Sequence, residues 1–224
     1  AILAGLTLAA SFPRPGLAGL AWIAPGFLLL CAIGCKAGEG FRLGYLAGLA
    51  YSLSSLHWLL FIPFPAGAIA GWFALSAYLA IYPAIWVWLC WRLFPAPFLG
   101  PEEDRGFGRG IDRLLSVPLL QRMLWALLCA AAWTGLEMVL GRFLTGFPWN
   151  FLGVSQYRVL PIIHLASITG VYGLSFLVAW FSVSLISFCL GLALRKGTAR
   201  LWFGDLTLPL IAVALTAAFG VREI

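Results

Sequence analysis

Few side chains in this 224-residue chain can do chemistry, and each has a restricted set of roles. Glu137 is read as the one acidic residue inside an apolar span. An ionised group at a bilayer centre costs roughly 2.5–3.5 kcal/mol and less near the interface, so Glu137 is expected to face protein or water. Three roles stay open for it: an ion pair with Arg142, positioning of a substrate headgroup, or a protonated carboxyl bonded to a neighbouring helix. His57 and His164 are each either a helix-packing hydrogen-bonding residue or a base. Ser155 has no G-x-S-x-G around it and no His at motif spacing, which argues against a serine hydrolase. Cys31, Cys35, Cys90, Cys129 and Cys189 all fall in apolar segments, where cysteine behaves as a small hydrophobe. None has the exposed, electropositive setting that makes a thiolate. Neither disulfides nor a metal centre nor a cofactor is expected.

The densest mixture of functional groups lies between two long apolar runs, at residues 142–157. Arg142, Thr145, Asn150, Ser155, Gln156 and Tyr157 stand there among Phe147, Pro148, Trp149 and Phe151. A plain connector would be short and polar. Rings beside amide and hydroxyl groups can instead sit at headgroup level and contact an amphiphile. The part of the stretch at 145–157 is therefore expected to form the wall of a lipid-binding groove, with His57, Trp58 and Glu137 behind it. In that groove Phe147 and Trp149 would lie against acyl chains, Asn150, Gln156 and Tyr157 would bond esters or phosphate, and Arg142 would supply charge.

Six ordered motifs carry a family resemblance. They are S-F-P at 11–13, H-W at 57–58, W-x-x-x-E at 133–137, T-G-F-P-W at 145–149, G-x-S-Q at 153–156 and I-T-G-V-Y-G-L-S-F at 168–176. Together they resemble the membrane domain of bacterial apolipoprotein N-acyltransferase, over essentially the whole chain. The resemblance implies a multi-pass protein of the inner membrane. It implies a reaction that moves an acyl chain from a phospholipid to the N-terminal diacylglyceryl-cysteine of a lipoprotein. It further implies a nitrilase-like domain outside the membrane that supplies a Glu base, an oxyanion-stabilising Lys and an acyl-carrying Cys. No catalytic residue of that set can be assigned here, because Lys36 and Lys196 fall in loops of the opposite face and every cysteine lies in a span. The expected partners are a phospholipid donor, a lipoprotein acceptor and that catalytic domain. Residues 1–220 are expected to form the multi-span domain and 221–224 to begin the linker.

The elements that must position these residues follow from composition. Hydrophobic residues make up 62%, charged residues 10%, and the mean hydropathy is +0.99, which excludes a soluble globular domain. With about 20 residues per span, the expected fold is an all-α integral membrane bundle of about seven transmembrane helices, the first one truncated. The predicted spans are residues 1–10, 17–35, 41–62, 68–94, 119–140, 160–194 and 201–219. Residues 95–118 are read chiefly as a solvated loop, with a short interfacial helix near 111–115 as the lesser reading. The 160–194 segment exceeds one span, so its Gly170 and Gly173 end is expected to project or bend.

Orientation follows from the basic residues. Lys36, Arg42, Arg92, Arg105, Arg109, Arg113, Arg122, Arg195, Lys196 and Arg200 share one face, and Arg14, Arg142, Arg158 and Arg222 the other. The richer face is expected to be cytoplasmic, which places the 142–159 loop and the C-terminal end outside. Scattered basic residues argue against nucleic acid. A small secondary transporter and a non-catalytic lipid-binding scaffold are the alternatives; the first would need polar residues at the midplane of broken spans.

Overall fold

A computed structural model describes residues 1–13, 15–95, 106–194 and 199–223. Arg14, the acidic run at 102–104, Arg105, Arg195 and Lys196 lie outside the described residues. The rest is helical, with no strand among the described residues. Ten α-helices follow in order: α1 (Ile2–Ala10), α2 (Ala24–Cys31), α3 (Ala37–Ser55), α4 (Pro65–Leu79), α5 (Ile81–Arg92), α6 (Phe107–Ser116), α7 (Leu119–Leu140), α8 (Leu160–Ile163), α9 (Ala166–Ala193) and α10 (Ala199–Glu223). Short 3-10 turns at Ala18–Trp22, His57–Phe61, Phe143–Thr145 and Leu152–Gln156 join them.

Seven spans were expected, but among the described residues four helical segments are long and apolar enough to cross a membrane: Pro65–Arg92, Leu119–Leu140, Ala166–Ala193 and Phe203–Glu223. The expected second span is instead a 3-10 turn followed by the eight residues of α2, because Gly19, Pro25 and Gly34 interrupt the run. The expected third span, α3, has 19 residues but is diluted by Glu39, Arg42 and several Gly and Ser residues. Those same glycines set the packing. A Cβ on Gly44 or Gly48 would lie 2.8 Å from the Cα of Ala84 or Ala80, so α3 and α5 touch backbone to backbone.

Residues 107–116 are a helix, not the solvated loop that was the main expectation. Gly110, Ile111, Leu114 and Leu115 recur on one side of α6 and are buried against the bundle, and the polar residues take the other side. The long sixth segment does bend. Gly170 has φ 65° and ψ −175°, a conformation open essentially to glycine, which kinks α9 near its start.

The centre of the bundle is held by reciprocal ties between α5 and α7. Trp86 Nε1 donates to the Cys129 carbonyl at 2.8 Å, and Trp125 Nε1 donates to the Cys90 carbonyl at 2.8 Å. Both indoles are thus buried with their one polar atom satisfied. Toward the end that carries α6, Arg122 of α7 forks onto Asp205 of α10 at 3.1 and 2.9 Å and donates to the Val117 carbonyl at 2.6 Å. Asp205 is therefore a second acidic residue inside an apolar helix, beside Glu137, and its burial is made tolerable by a bidentate partner.

Candidate functional site

The 142–157 stretch folds back over the C-terminal end of α7. Phe147 N–H donates to the Leu140 carbonyl at 2.9 Å and Gly146 N–H to the Phe143 carbonyl at 3.0 Å. This reversal needs unusual backbone. Leu144, Thr145 and Asn150 have φ of 50°, 73° and 53°, and they are the only non-glycine residues with positive φ among those described. Such conformations cost of order 1–3 kcal/mol each and persist only where the surroundings enforce them.

Four side chains from four elements do the enforcing. Glu137 Oε1 accepts from Trp133 Nε1 at 2.8 Å and from the Leu152 N–H at 2.7 Å. Ser175 Oγ of α9 accepts the Gly153 N–H at 2.8 Å. Tyr51 of α3 donates its hydroxyl to the Asn150 carbonyl at 3.0 Å. Gln156 Oε1 accepts a hydrogen bond from Trp22 Nε1 at 3.0 Å, and its Nε2 donates one to the Ala18 carbonyl at 3.0 Å.

Beneath the loop lies a cavity of about 70 Å³. Its walls come from α3 (Tyr51, Ser52), α5 (Tyr82, Trp86), α7 (Trp133, Glu137) and the loop itself (Trp149, Asn150). The surface is mostly apolar. Two of its polar atoms, Ser52 Oγ and Glu137 Oε2, are buried and complete no hydrogen bond. Buried polar atoms are rarely left so, because each costs about 1–3 kcal/mol.

The structure brings several predicted residues together and separates others. Glu137, Trp149 and Asn150 line the cavity. Trp58 packs on Trp149 with ring centroids 5.1 Å apart, and Phe147 lies 6.2 Å from the same ring. The ion pair between Glu137 and Arg142 does not form: Arg142 Nη1 donates to the Met138 carbonyl at 3.1 Å, on the exposed side of the helix end. Gln156 is buried and spends its amide on the fold. Tyr157 sits at the surface under Arg158, whose guanidinium carbon is 5.1 Å from the ring centroid. His57 is exposed and its Nδ1 lies 2.8 Å from the Ser54 carbonyl, which fixes the proton on that nitrogen; it does not line the cavity. Tyr51, Ser52, Ser55 and Tyr82 were not among the predicted residues. For the first three the signal was present as a hydroxyl-bearing run, Tyr51 to Ser55, within an otherwise apolar segment.

Residues 4–184 match the apolipoprotein N-acyltransferase N-terminal domain. The chain is 38% identical over its whole length to the apolipoprotein N-acyltransferase of Geobacter metallireducens, and covers 39% of that protein. It is 30% identical to the Nitrosomonas europaea protein of the same name over 85% of this chain and 32% of that one. The Chromobacterium violaceum protein gives 30% identity over 66% of this chain and 25% of its own length. The chain thus spans about two-fifths or less of these relatives, and the matches make it a member of the apolipoprotein N-acyltransferase family.

Proposed function

We propose that this chain is the membrane domain of an apolipoprotein N-acyltransferase and that it holds lipid for the reaction. In that reaction an acyl chain leaves a phospholipid, rests on a cysteine as a thioester, and passes to the amino group of a lipoprotein's diacylglyceryl-cysteine. The cysteine belongs to a nitrilase-like domain seated on the loop end of this bundle, outside the inner membrane. The cysteines of this chain are unsuited to the step. Cys90 and Cys129 are buried between helices, Cys31 is half-buried at the end of α2, Cys189 is exposed along the apolar helix α9, and burial together with the Glu39 charge pushes the Cys35 thiol above its ordinary value. Residues 1–224 alone are therefore expected to form no acyl-enzyme.

The observation that carries this reading is the cavity under the strained loop, apolar in most of its walls and with two unspent polar atoms. An amphiphile at the headgroup boundary has matching parts. The half-exposed Trp58 and Trp149 pair beside it suits the same depth.

A chimera tests the reading. Substituting this chain for the aligned region of the Geobacter metallireducens protein should support N-acylation of lipoproteins in cells depleted of their own enzyme. With a photoactivatable acyl chain on a phospholipid, crosslinks should concentrate on peptides containing residues 51–56 and 133–151. A stable, inserted chimera whose crosslinks spread evenly over the outward faces of α4 and α10 would remove the cavity from the account.

A further inference from the structure

At the end of the bundle opposite the loop, the start of α3 and the end of α5 leave a second cleft, of about 30 Å³. Cys35, Lys36 and Gly40 line it from the α3 side, and Trp88, Trp91 and Arg92 from α5. Gly40 helps to keep it open, since a Cβ there would stand in ordinary contact, 3.7 Å from the Ala32 Cβ and 4.0 Å from Val87 Cγ1, and no side chain takes that place. Lys36 and Arg92 are both exposed residues, so two cations from two helices meet at the mouth of one small space.

An ammonium and a guanidinium facing one space repel each other, and an anion between them turns that repulsion into two attractions. Among the described residues the same end also carries Arg42, Arg109 and Arg113 against Glu39 and Asp112, which leaves it net positive. Glu39 is not part of the cleft wall; its Oε2 accepts the Lys36 N–H at 3.0 Å. The depth is that of lipid headgroups. The membrane-crossing segment Pro65–Arg92 ends at this cleft, and its Trp88 is half-exposed there, as an indole is at the boundary between acyl chains and headgroups. Phe41 and Leu93, next to Gly40 and Arg92 in sequence, are exposed apolar side chains on which the start of an acyl chain can lie. A soluble anion would gain nothing from these apolar flanks. Basic residues that only set topology need to lie on this side, but need not come from two helices onto one cleft beside an indole.

We propose that this cleft is a binding site for the phosphate of an anionic phospholipid in the adjacent leaflet, held between Lys36 and Arg92 with the glycerol region of the lipid against Trp88. Such a lipid is no reactant: it sits at the far end of the bundle from the cavity under the loop, and the proposal is independent of the reading given above for that cavity. By bridging the start of α3 and the end of α5 it would tie the two helices at one end, as the close backbone contacts at Gly44 and Gly48 tie them along their length.

The test uses the purified 224-residue chain in phosphatidylcholine nanodiscs doped with a trace of photoactivatable lipid whose reactive group lies near the headgroup, either phosphatidylglycerol or phosphatidylcholine with the same acyl chains. The phosphatidylglycerol probe should label peptides containing residues 35–41 and 88–93 about fivefold more than the phosphatidylcholine probe, the scale of one basic residue acting near a membrane surface. Arg92→Gln, at an exposed position, should remove most of that preference, and Lys36→Gln should lower it. Gly40→Ala, whose methyl fits in ordinary contact, should lower it by narrowing the cleft with both charges kept. Labelling of peptides from 133–151, at the loop end, should be the same in all three variants. Equal labelling of the cleft peptides by the two probes would overturn the site. So would a preference that survives Arg92→Gln and Lys36→Gln combined, since it would then belong to the surface at large. Loss of the preference when inorganic phosphate replaces chloride at equal ionic strength would also overturn it, because the site would then take the soluble anion. The wild-type comparison needs no variant, so a folding defect in a variant cannot mask the outcome.

Discussion

The two ends of this bundle treat their buried charges in opposite ways. At the end that carries α6, Arg122 and Asp205 lock α7 to α10 with a bidentate contact, and a third donor of Arg122 is spent on the Val117 carbonyl. At the loop end, Glu137 is buried to a similar degree but spends only one oxygen, in a wall shared with Ser52, under a loop whose backbone runs through three positive-φ residues. The first arrangement satisfies itself and needs nothing further. The second sets Glu137 and Ser52 against a cavity beneath strained backbone, and it is on this end that the proposed lipid-holding function rests.

Breaking the self-satisfied end should give the largest loss of stability and no loss of binding. Asp205→Ala removes the bidentate carboxylate from the buried Arg122 guanidinium, a change worth roughly 3–5 kcal/mol. Thermal unfolding in detergent should show a large fall in Tm, with lipid crosslinking per folded molecule unchanged at low temperature. A mild effect would mean that water reaches this end and that the contrast between the ends is overstated.

Gly170→Ala comes next. The ε conformation at this bend is closed to side chains, so the substitution should cost on the order of 1–3 kcal/mol. It should also disturb the loop, because α9 beyond the bend carries Ser175 and its tether to Gly153. A smaller Tm shift than Asp205→Ala, with reduced lipid crosslinking, is expected. Unchanged crosslinking would detach the bend from the site.

Trp149→Ala should barely move Tm, since the ring is 45% exposed and an aromatic pair contributes about 0.5–1.5 kcal/mol. Lipid retention should nonetheless fall, because the ring is part of the cavity wall. The smallest effect concerns Cys35, in the segment between α2 and α3. Burial first and the Glu39 carboxylate second raise its thiol, so less thiolate is present at pH 8 than for an ordinary cysteine. Maleimide labelling of Cys35 should lag behind a free thiol at pH 8 and catch up as pH rises. Labelling at the free-thiol rate would show that this loop opens to water.

Much of the fold was legible because apolar run length and helix-breaking residues are local signals. The all-helical class, α7 and the bend near Gly170 all follow from them. Residues 107–116 were harder, since a helix with Arg109, Asp112 and Arg113 on one side has the average polarity of a loop, and only the spacing of Ile111, Leu114 and Leu115 betrays it. The site was legible in part. Trp149, Asn150 and Glu137 could be singled out as odd residues in an apolar setting. The partners of Glu137 could not, because Arg142 is its neighbour in sequence while the Leu152 N–H reaches it through the folded-back loop. Gln156 looked like a ligand contact for the same reason that makes it a good brace: an amide can both donate and accept, and Trp22 and Ala18 claim both functions from more than a hundred residues away. Asp205 was overlooked because its compensating Arg122 sits on another helix.

The most direct test of the central claim is Glu137→Gln in the chimera with the Geobacter metallireducens protein, read for stability and for activity per folded molecule together. Glutamine keeps a carbonyl oxygen that can accept from Trp133 Nε1 and the Leu152 N–H, and it removes the charge from the cavity. The account predicts that Tm stays within a few degrees of the parent chimera while N-acylation per folded molecule drops about tenfold or more, the scale of a lost charge-assisted contact. Parental activity in a variant that is equally stable, or a collapse of Tm with full activity in the surviving folded fraction, would contradict it and make Glu137 a tether for the loop and nothing more.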